Sequence, residues 1–145
     1  MDVDLTPEMA DYLVLIYVLT YGKGYRYVKP TEISRTLGAS KATVSLMLKK
    51  LRFRGLVVKE RDGVSLSQRG VSVCVSILRR HATIEKALMM LGVDHDKACE
   101  VARKIEVVVD ESVIDLVERE TVEFGLPCDK ATCRLESALK ARRRS

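Results

Sequence analysis

The stretch from Thr31 to Leu51, TEISRTLGASKATVSLMLKKL, decides the fold: it reads as two short helices broken at Leu37-Gly38-Ala39. Ile33, Leu37, Val44, Leu48 and Leu51 recur at helical spacing and share a buried face, while Glu32, Ser34, Arg35, Ser40, Lys41, Thr43, Ser45, Lys49 and Lys50 stay outside. Gly38 supplies the permissive backbone that a sharp turn between helices requires. Ser40 stands where its hydroxyl can cap the second helix. An ordinary helical hairpin has the same periodicity, so the neighbouring sequence has to discriminate.

It does so at once. Leu56-Val57-Val58 and Val64-Ser65-Leu66 are two short β-like runs around a charged turn ending in Asp62-Gly63. Thr31 to Gly70 therefore reads as a helix-turn-helix with a hairpin wing, a pattern suited to duplex DNA. Charge points the same way. Lys23 to Arg69 holds twelve Lys and Arg against three acids, a net +9, whereas His81 to Glu123 holds five basic and eleven acidic residues, a net −6. The whole-chain +5 conceals this division. A locally basic half suits a polyphosphate, whose counterions are released on binding.

The 145 residues, 47% of them hydrophobic, suffice for one medium domain or two small ones. The apolar run Tyr12 to Leu19 is far shorter than the roughly 20 residues of a spanning helix, and the acidic start MDVDLTPE does not resemble a secretory signal. Four cysteines, at 74, 99, 128 and 133, are too sparse for a secreted disulfide scaffold. These features lead to the expectation of a cytoplasmic protein with no membrane partner and no small organic substrate. No glycine-rich phosphate loop, no HExxH pair and no nucleophile with an evident histidine partner is present, so no catalytic residue is assigned and an enzyme ranks last among the function classes.

Around the reader, Pro7 and Glu8 open a first helix that is largely apolar and ends at Gly22 and Gly24. Tyr25 to Lys29 is an extended connection. Ser67 begins a long helix ending at Gly92, which joins the two halves. Asp94 or Asp96 caps another through about Val107, and Asp110 one through Glu123. Gly125, Pro127 and Cys128 break the pattern. Residues 129–145 have weak periodicity and end in Arg142-Arg143-Arg144, read as a frayed helix or mobile basic tail. The expected fold class is mainly α with a small β-hairpin wing. The expected division is a winged helix-turn-helix domain over 1–72, a helical dimerisation and metal-binding domain over 73–128, and a basic tail over 129–145.

This order of elements resembles the diphtheria-toxin-repressor family of metal-dependent transcription regulators. The resemblance runs from Pro7 to about Glu123 and is carried by Asp11-Tyr12-Leu13 with Ile16-Tyr17, the helix-turn-helix, Leu66-Ser67-Gln68-Arg69-Gly70, and Arg80-His81 followed by Leu88 to Asp94. It implies a homodimer that represses from an inverted-repeat operator under control of a divalent transition metal (Mn, Fe, Co or Zn), in the two-domain arrangement of the manganese branch.

Carried over residue by residue, the resemblance implies metal ligands at Asp11, His81, Glu85, Cys99 and Glu106, with three departures. Val14, Arg103 and Val107 stand where the family has further ligands. A guanidinium at Arg103, beside Asp11 and Glu106, would supply positive charge in place of an ion. That leaves as the alternative a winged-helix regulator that no longer senses metal, locked by Arg103 or responsive to cysteine oxidation. A shifted site is also open: His81 and Glu85 share a helix face, Cys99 aligns with a histidine of the iron branch's second site, and a mixed N, O, S set suits zinc, iron or cobalt better than manganese. Cys74 reads as a small core residue and His95 as a solvated one. Cys128 and Cys133, spaced C-x4-C, are open to metal clamping, a disulfide or free thiols.

DNA contacts are expected at Arg35, Ser40, Lys41, Thr43, Ser45, Lys49, Lys50, Arg52, Arg54 and Arg61. Ser40, Lys41, Thr43 and Ser45 would approach base edges. Lys49, Lys50, Arg52 and Arg54 would hold phosphates, and Arg61 would reach out from the wing tip.

Overall fold

A computed structural model describes residues 1–122 and 130–144. Helix α1 (Pro7–Tyr17) starts where the Thr6 hydroxyl accepts the Met9 amide at 3.2 Å, with proline in the first turn. Every residue from Met9 to Ile16 is buried, so α1 is the axis of the molecule rather than a surface helix. It runs on as a π-helical turn, Val18–Gly22.

Helices α2 (Pro30–Leu37) and α3 (Lys41–Phe53) meet at Gly38, whose φ of 65° is the left-handed conformation that ends α2. The Ser34 hydroxyl donates to the Ala39 carbonyl at 2.6 Å and fixes the turn. Ile33, Leu37, Val44, Leu48 and Leu51 are all buried. Strands β1 (Val57–Glu60) and β2 (Gly63–Leu66) pair antiparallel from Val57 opposite Leu66 to Glu60 opposite Gly63. Val28 adds a bridge to Val64, tying the connection before α2 to the wing.

Ser67 caps α4 (Gln68–Met90), accepting the Gly70 amide at 2.9 Å and donating to the Gly55 carbonyl at 2.5 Å. A Cβ on Gly70 would fall 1.9 Å from the Leu56 carbonyl oxygen, so only glycine lets α4 leave the hairpin this closely. Asp94 caps α5 (His95–Ile105), and α6 (Glu111–Glu120) follows a short turn. Both helices stop short of the ends expected from the sequence, Val107 and Glu123; Glu123, Gly125, Pro127 and Cys128 lie outside the described residues.

The C-terminal segment departs from the expected tail. Lys130–Arg144 forms α7, packed against α1, α4 and α5, with Arg134, Leu135 and Ala138 buried. Ala131, Leu135, Ala138 and Leu139 make a narrow apolar stripe that the surrounding arginines obscure in the sequence. One core joins α1, α2, α3, the hairpin, the first half of α4 and Leu135 of α7; a smaller one gathers Ile84, Ala102 and Ile114.

Candidate functional site

On α3 the Ser40 hydroxyl accepts the Thr43 amide at 3.1 Å and lies 2.8 Å from the Thr43 hydroxyl, so both side chains are ordered at the helix tip. Lys41, Ala42, Thr43 and Ser45 face solvent because Val44, Leu48 and Leu51 consume the opposite face. Lys49, Lys50 and Arg52 are exposed further along, and a groove between α3 and the wing is lined by Ser45, Lys49, Arg52, Phe53, Lys59 and Arg61. Arg61 turns the hairpin at φ 33°. Hydrogen bonding to Tyr27 and to Lys29 holds the Asp62 carboxyl below its usual range. The wing turn is thereby anchored to the chain before α2.

One expected contact, Arg54, sits differently. Arg54 is half-buried, its Nε donating to the Asp4 carbonyl at 3.2 Å and its Nη1 to the Lys50 carbonyl at 3.3 Å, so it fastens the end of α3 to the N-terminal segment. Arg35 is exposed on α2 with a guanidinium nitrogen 3.5 Å from Glu32.

Beneath this face, α1, α4, α5 and α7 converge on a buried polar network. Asp11 on α1 is fully buried. Arg103 of α5 grips it at 3.0 Å (Nε to Oδ1) and 2.5 Å (Nη2 to Oδ2), and Arg134 of α7 donates to Oδ1 at 2.6 Å. Arg142, read as part of a solvated run, reaches to 3.6 Å from Asp11 Oδ2. Arg134 also donates through Nε to Glu106 Oε1 at 2.8 Å. The Val14 and Val107 positions bring no donor. Glu106 is therefore shared: Oε1 meets Arg134 while Oε2 lies 2.6 Å from His81 Nδ1.

His81 links this network to a second one. With Nδ1 held by Glu106, its Nε2 points at Cys99 Sγ, 3.2 Å away, and at Glu85 Oε2, 3.3 Å away. Burial opposes charge on this imidazole, but hydrogen bonds with Cys99, Glu106 and Glu85 outweigh it and push the pKa up to about 11. His81, Glu85 and Cys99 are all buried and their ligand atoms lie within 4.8 Å of one another. The structure thus groups three of the five expected ligands. Asp11 faces guanidinium groups instead, and Glu106 stands behind His81 rather than beside it among the donors.

His95, expected in solvent, turns inward from the first turn of α5: its Nε2 is 2.9 Å from Glu85 Oε1 and 3.3 Å from Cys133 Sγ on α7. Cys133 is in turn 3.6 Å from Cys99, with no disulfide between the two sulfurs. Sequence reasoning misses Arg134, puts His95 in solvent and leaves Cys133 open between metal clamping, a disulfide and a free thiol; the α7 stripe bordering Arg134 is the available signal. Cys74 is a core thiol, pushed up to about 12 chiefly by burial. Cys128 is outside the described residues.

A positively lined winged helix, joined by one long helix to a helical half that gathers imidazole, carboxylate and thiol groups, defines a DNA-binding regulator of the metal-dependent class. Family comparison agrees. Residues 4–64 match the model of the iron-dependent repressor N-terminal DNA-binding domain, and residues 67–121 that of the iron-dependent repressor metal-binding and dimerisation domain. The chain belongs to the iron-dependent repressor family, whose members are metal-responsive DNA-binding transcription regulators. It is 29% identical over 136 residues to the HTH-type transcriptional regulator MntR of Bacillus pumilus, covering 93% of this chain and 92% of that protein. To MntR of Lysinibacillus sphaericus it is 33% identical over 93 residues, covering 63% of this chain and 66% of that protein, just under two thirds. The solved structure of the manganese regulator SloR superposes with a TM-score of 0.70 at 28% identity, covering 83% of this chain and 56% of SloR.

Proposed function

We propose that the protein is a homodimeric transcriptional repressor that binds an inverted-repeat operator in the cytoplasm and takes its metal signal at His81, Glu85 and Cys99. The observation that carries the reading is the buried His81 whose Nδ1 is held by Glu106 while Nε2 is aimed at a carboxylate and a thiol. Metal-binding histidines are oriented in this way by a carboxylate on the other ring nitrogen. When bound, the ion supplies a fixed positive centre that draws α4 and α5 together. The donor set favours zinc, iron or cobalt over manganese, which prefers oxygen.

Asp11 has a different part in this reading. Arg103 and Arg134 already provide its counter-charge, so α1 is tied to the second half by guanidinium groups rather than by an ion. Metal control therefore enters beside that tie, through His81. The family match does not favour the alternative in which metal sensing is lost altogether.

The division at about residue 72 separates the reader from the dimerising half. Support for pairing comes from Leu91, Val108, Val113, Leu116 and Val122, apolar side chains left exposed on the second half. Two copies related by a two-fold axis would present their α3 tips to half-sites about one helical turn apart. Ser40, Lys41, Thr43 and Ser45 approach bases, whereas Arg35, Lys49, Lys50, Arg52 and Arg61 meet phosphates. Arg54 serves the fold of α3 as much as the duplex.

The experiment is duplex binding with and without chelator, followed by addition of Mn, Fe, Co or Zn, for the native protein and for His81→Ala. Binding should depend on metal in the native protein and lose that dependence in the variant. Chelator-insensitive binding by the native protein would refute metal control. In the same assay Lys41→Ala should cost about 1–3 kcal/mol on the operator and little on random duplex, while Lys50→Ala should weaken both alike.

A further inference from the structure

We infer that His95 and Cys133 are metal ligands too, extending the His81, Glu85 and Cys99 group into one five-donor site that a thiophilic divalent cation of the zinc or cobalt type would fill and that fastens α7 to α5. The inference rests on the metal reading above and adds to it two residues and a helix.

The geometry is a closed ring. His81 Nε2 lies 3.2 Å from Cys99 Sγ, Cys99 Sγ 3.6 Å from Cys133 Sγ, Cys133 Sγ 3.3 Å from His95 Nε2, His95 Nε2 2.9 Å from Glu85 Oε1, and Glu85 Oε2 3.3 Å from His81 Nε2. Neighbouring donors on one five-coordinate ion with bonds of 2.0–2.3 Å stand about 2.8–4.0 Å apart, so the neighbour distances around this ring match those of a coordination shell. Glu85, Cys99 and Cys133 can each offer anionic charge, and that matters because the guanidinium groups nearby are spent elsewhere. Arg103 faces Asp11, and Arg134 faces Asp11 and Glu106.

Three elements supply the ring: α4 gives His81 and Glu85, α5 gives His95 and Cys99, and α7 gives Cys133. Glu85 belongs to both triads of ligand atoms, His81–Glu85–Cys99 and Glu85–His95–Cys133. Its two oxygens face opposite ways, which makes it the hinge of the site. The inner triad is fully buried, whereas His95 and Cys133 are half-buried and line a surface cleft together with Cys99, Asp96, Glu100 and Glu136. That cleft is an entry path from solvent to the inner donors. Two thiols also set the class of ion: thiolate ligands select zinc- and cobalt-type ions over manganese or magnesium.

The test is cobalt titration of the full chain, read by thiolate-to-cobalt charge-transfer absorption, with zinc competition for affinity. The native protein should show the intensity of two thiolates per bound cobalt. Cys99→Ser and Cys133→Ser should each remove about half of it, and His95→Ala should lower affinity at least about tenfold, as loss of a ligand-sphere group does. Hydrogen exchange gives a second readout: zinc should slow exchange across α7 in the native protein and not in Cys133→Ser. Circular dichroism of the metal-free variants confirms that each is folded before it is titrated. If His81→Ala and Cys99→Ser abolish binding while Cys133→Ser and His95→Ala leave spectrum and affinity unchanged, this inference falls and the proposed function stands. If the native protein takes up neither cobalt nor zinc, this inference falls, and the proposed function then stands or falls on whether duplex binding responds to Fe or Mn in the chelator experiment.

Discussion

Two buried polar clusters lie side by side in this protein, joined through Glu106, and they differ in how their negative charge is answered. Around Asp11 the counter-charge is built in: two guanidinium groups within hydrogen-bonding distance make a closed, covalently supplied tie between α1, α5 and α7. Around Glu85 the neighbours include two imidazoles and two thiols, groups that can bind either a proton or a metal. Arginine cannot be deprotonated in a protein, so the first cluster has one state. The second has at least two, and only a cluster with two states can report on its surroundings.

The largest expected effect tests the closed cluster. Arg134→Met removes a fully buried guanidinium and leaves Asp11 and Glu106 without their shared partner, which should cost about 3–5 kcal/mol, or roughly 10 °C or more in Tm. A fall of less than 1 kcal/mol in denaturant unfolding would mean that the carboxylates find other partners and that the cluster is not closed. Millimolar divalent cation should recover part of the loss in this variant, and none in the native protein through Asp11.

The next comparison separates the clusters. Glu106→Gln weakens the orienting contact on His81 Nδ1 and should lower metal affinity about 10- to 100-fold. Asp11→Asn, equally buried and on the same network, should destabilise the fold while leaving metal affinity within about twofold of native, since Asp11 does not contact the donors. Isothermal titration of zinc into both variants checks this. Equal losses of affinity would show that the two clusters act as a single site.

The legibility of these features in the sequence follows the same divide. The winged helix could be read because its signals are local. A periodic apolar face, a glycine between two helices and two β-runs around Asp62-Gly63 each lie within about twenty residues. The α4 pair His81 and Glu85 is local as well, one helical turn apart. What escaped was brought together over long range. Arg134 meets Asp11 across 123 positions, and Cys133 meets His95 across 38. A charged residue in an arginine-rich terminal segment reads as solvated because arginine is buried only when paired, and pairing is a tertiary fact. His95, beside Asp94 and Asp96, read as surface for the same reason. The approach of Arg103 to Asp11 is the exception: the family resemblance places both positions at one site.

A third group of ion pairs supplies the control, being similar in chemistry but open to water. Arg79 on α4 fans out to Glu111 at 2.6 Å, Asp115 at 2.7 Å and Glu118 at 2.6 Å on α6, and Arg80 reaches Glu111 at 2.6 Å. The acidic side chains are 41–61% exposed, so solvent screens these contacts and Arg79→Met should cost only about 1 kcal/mol. Burial raises the Glu111 pKa, but Arg79, Arg80 and the N-terminal ammonium outweigh it and hold the carboxyl below its usual value of 4.5. A carboxyl depressed in the folded state contributes stability that is present above its unfolded pKa and is lost as pH falls through its folded pKa. The difference in Tm between native protein and Arg79→Met should therefore be constant from pH 7 to about 5 and shrink below about 4.5, and 1 M salt at pH 7 should erase most of it. The Arg134→Met deficit should resist the same salt, since a pair with no exposed atoms has no solvent to screen it. A salt response of equal size in both variants would mean that burial does not distinguish the two kinds of tie.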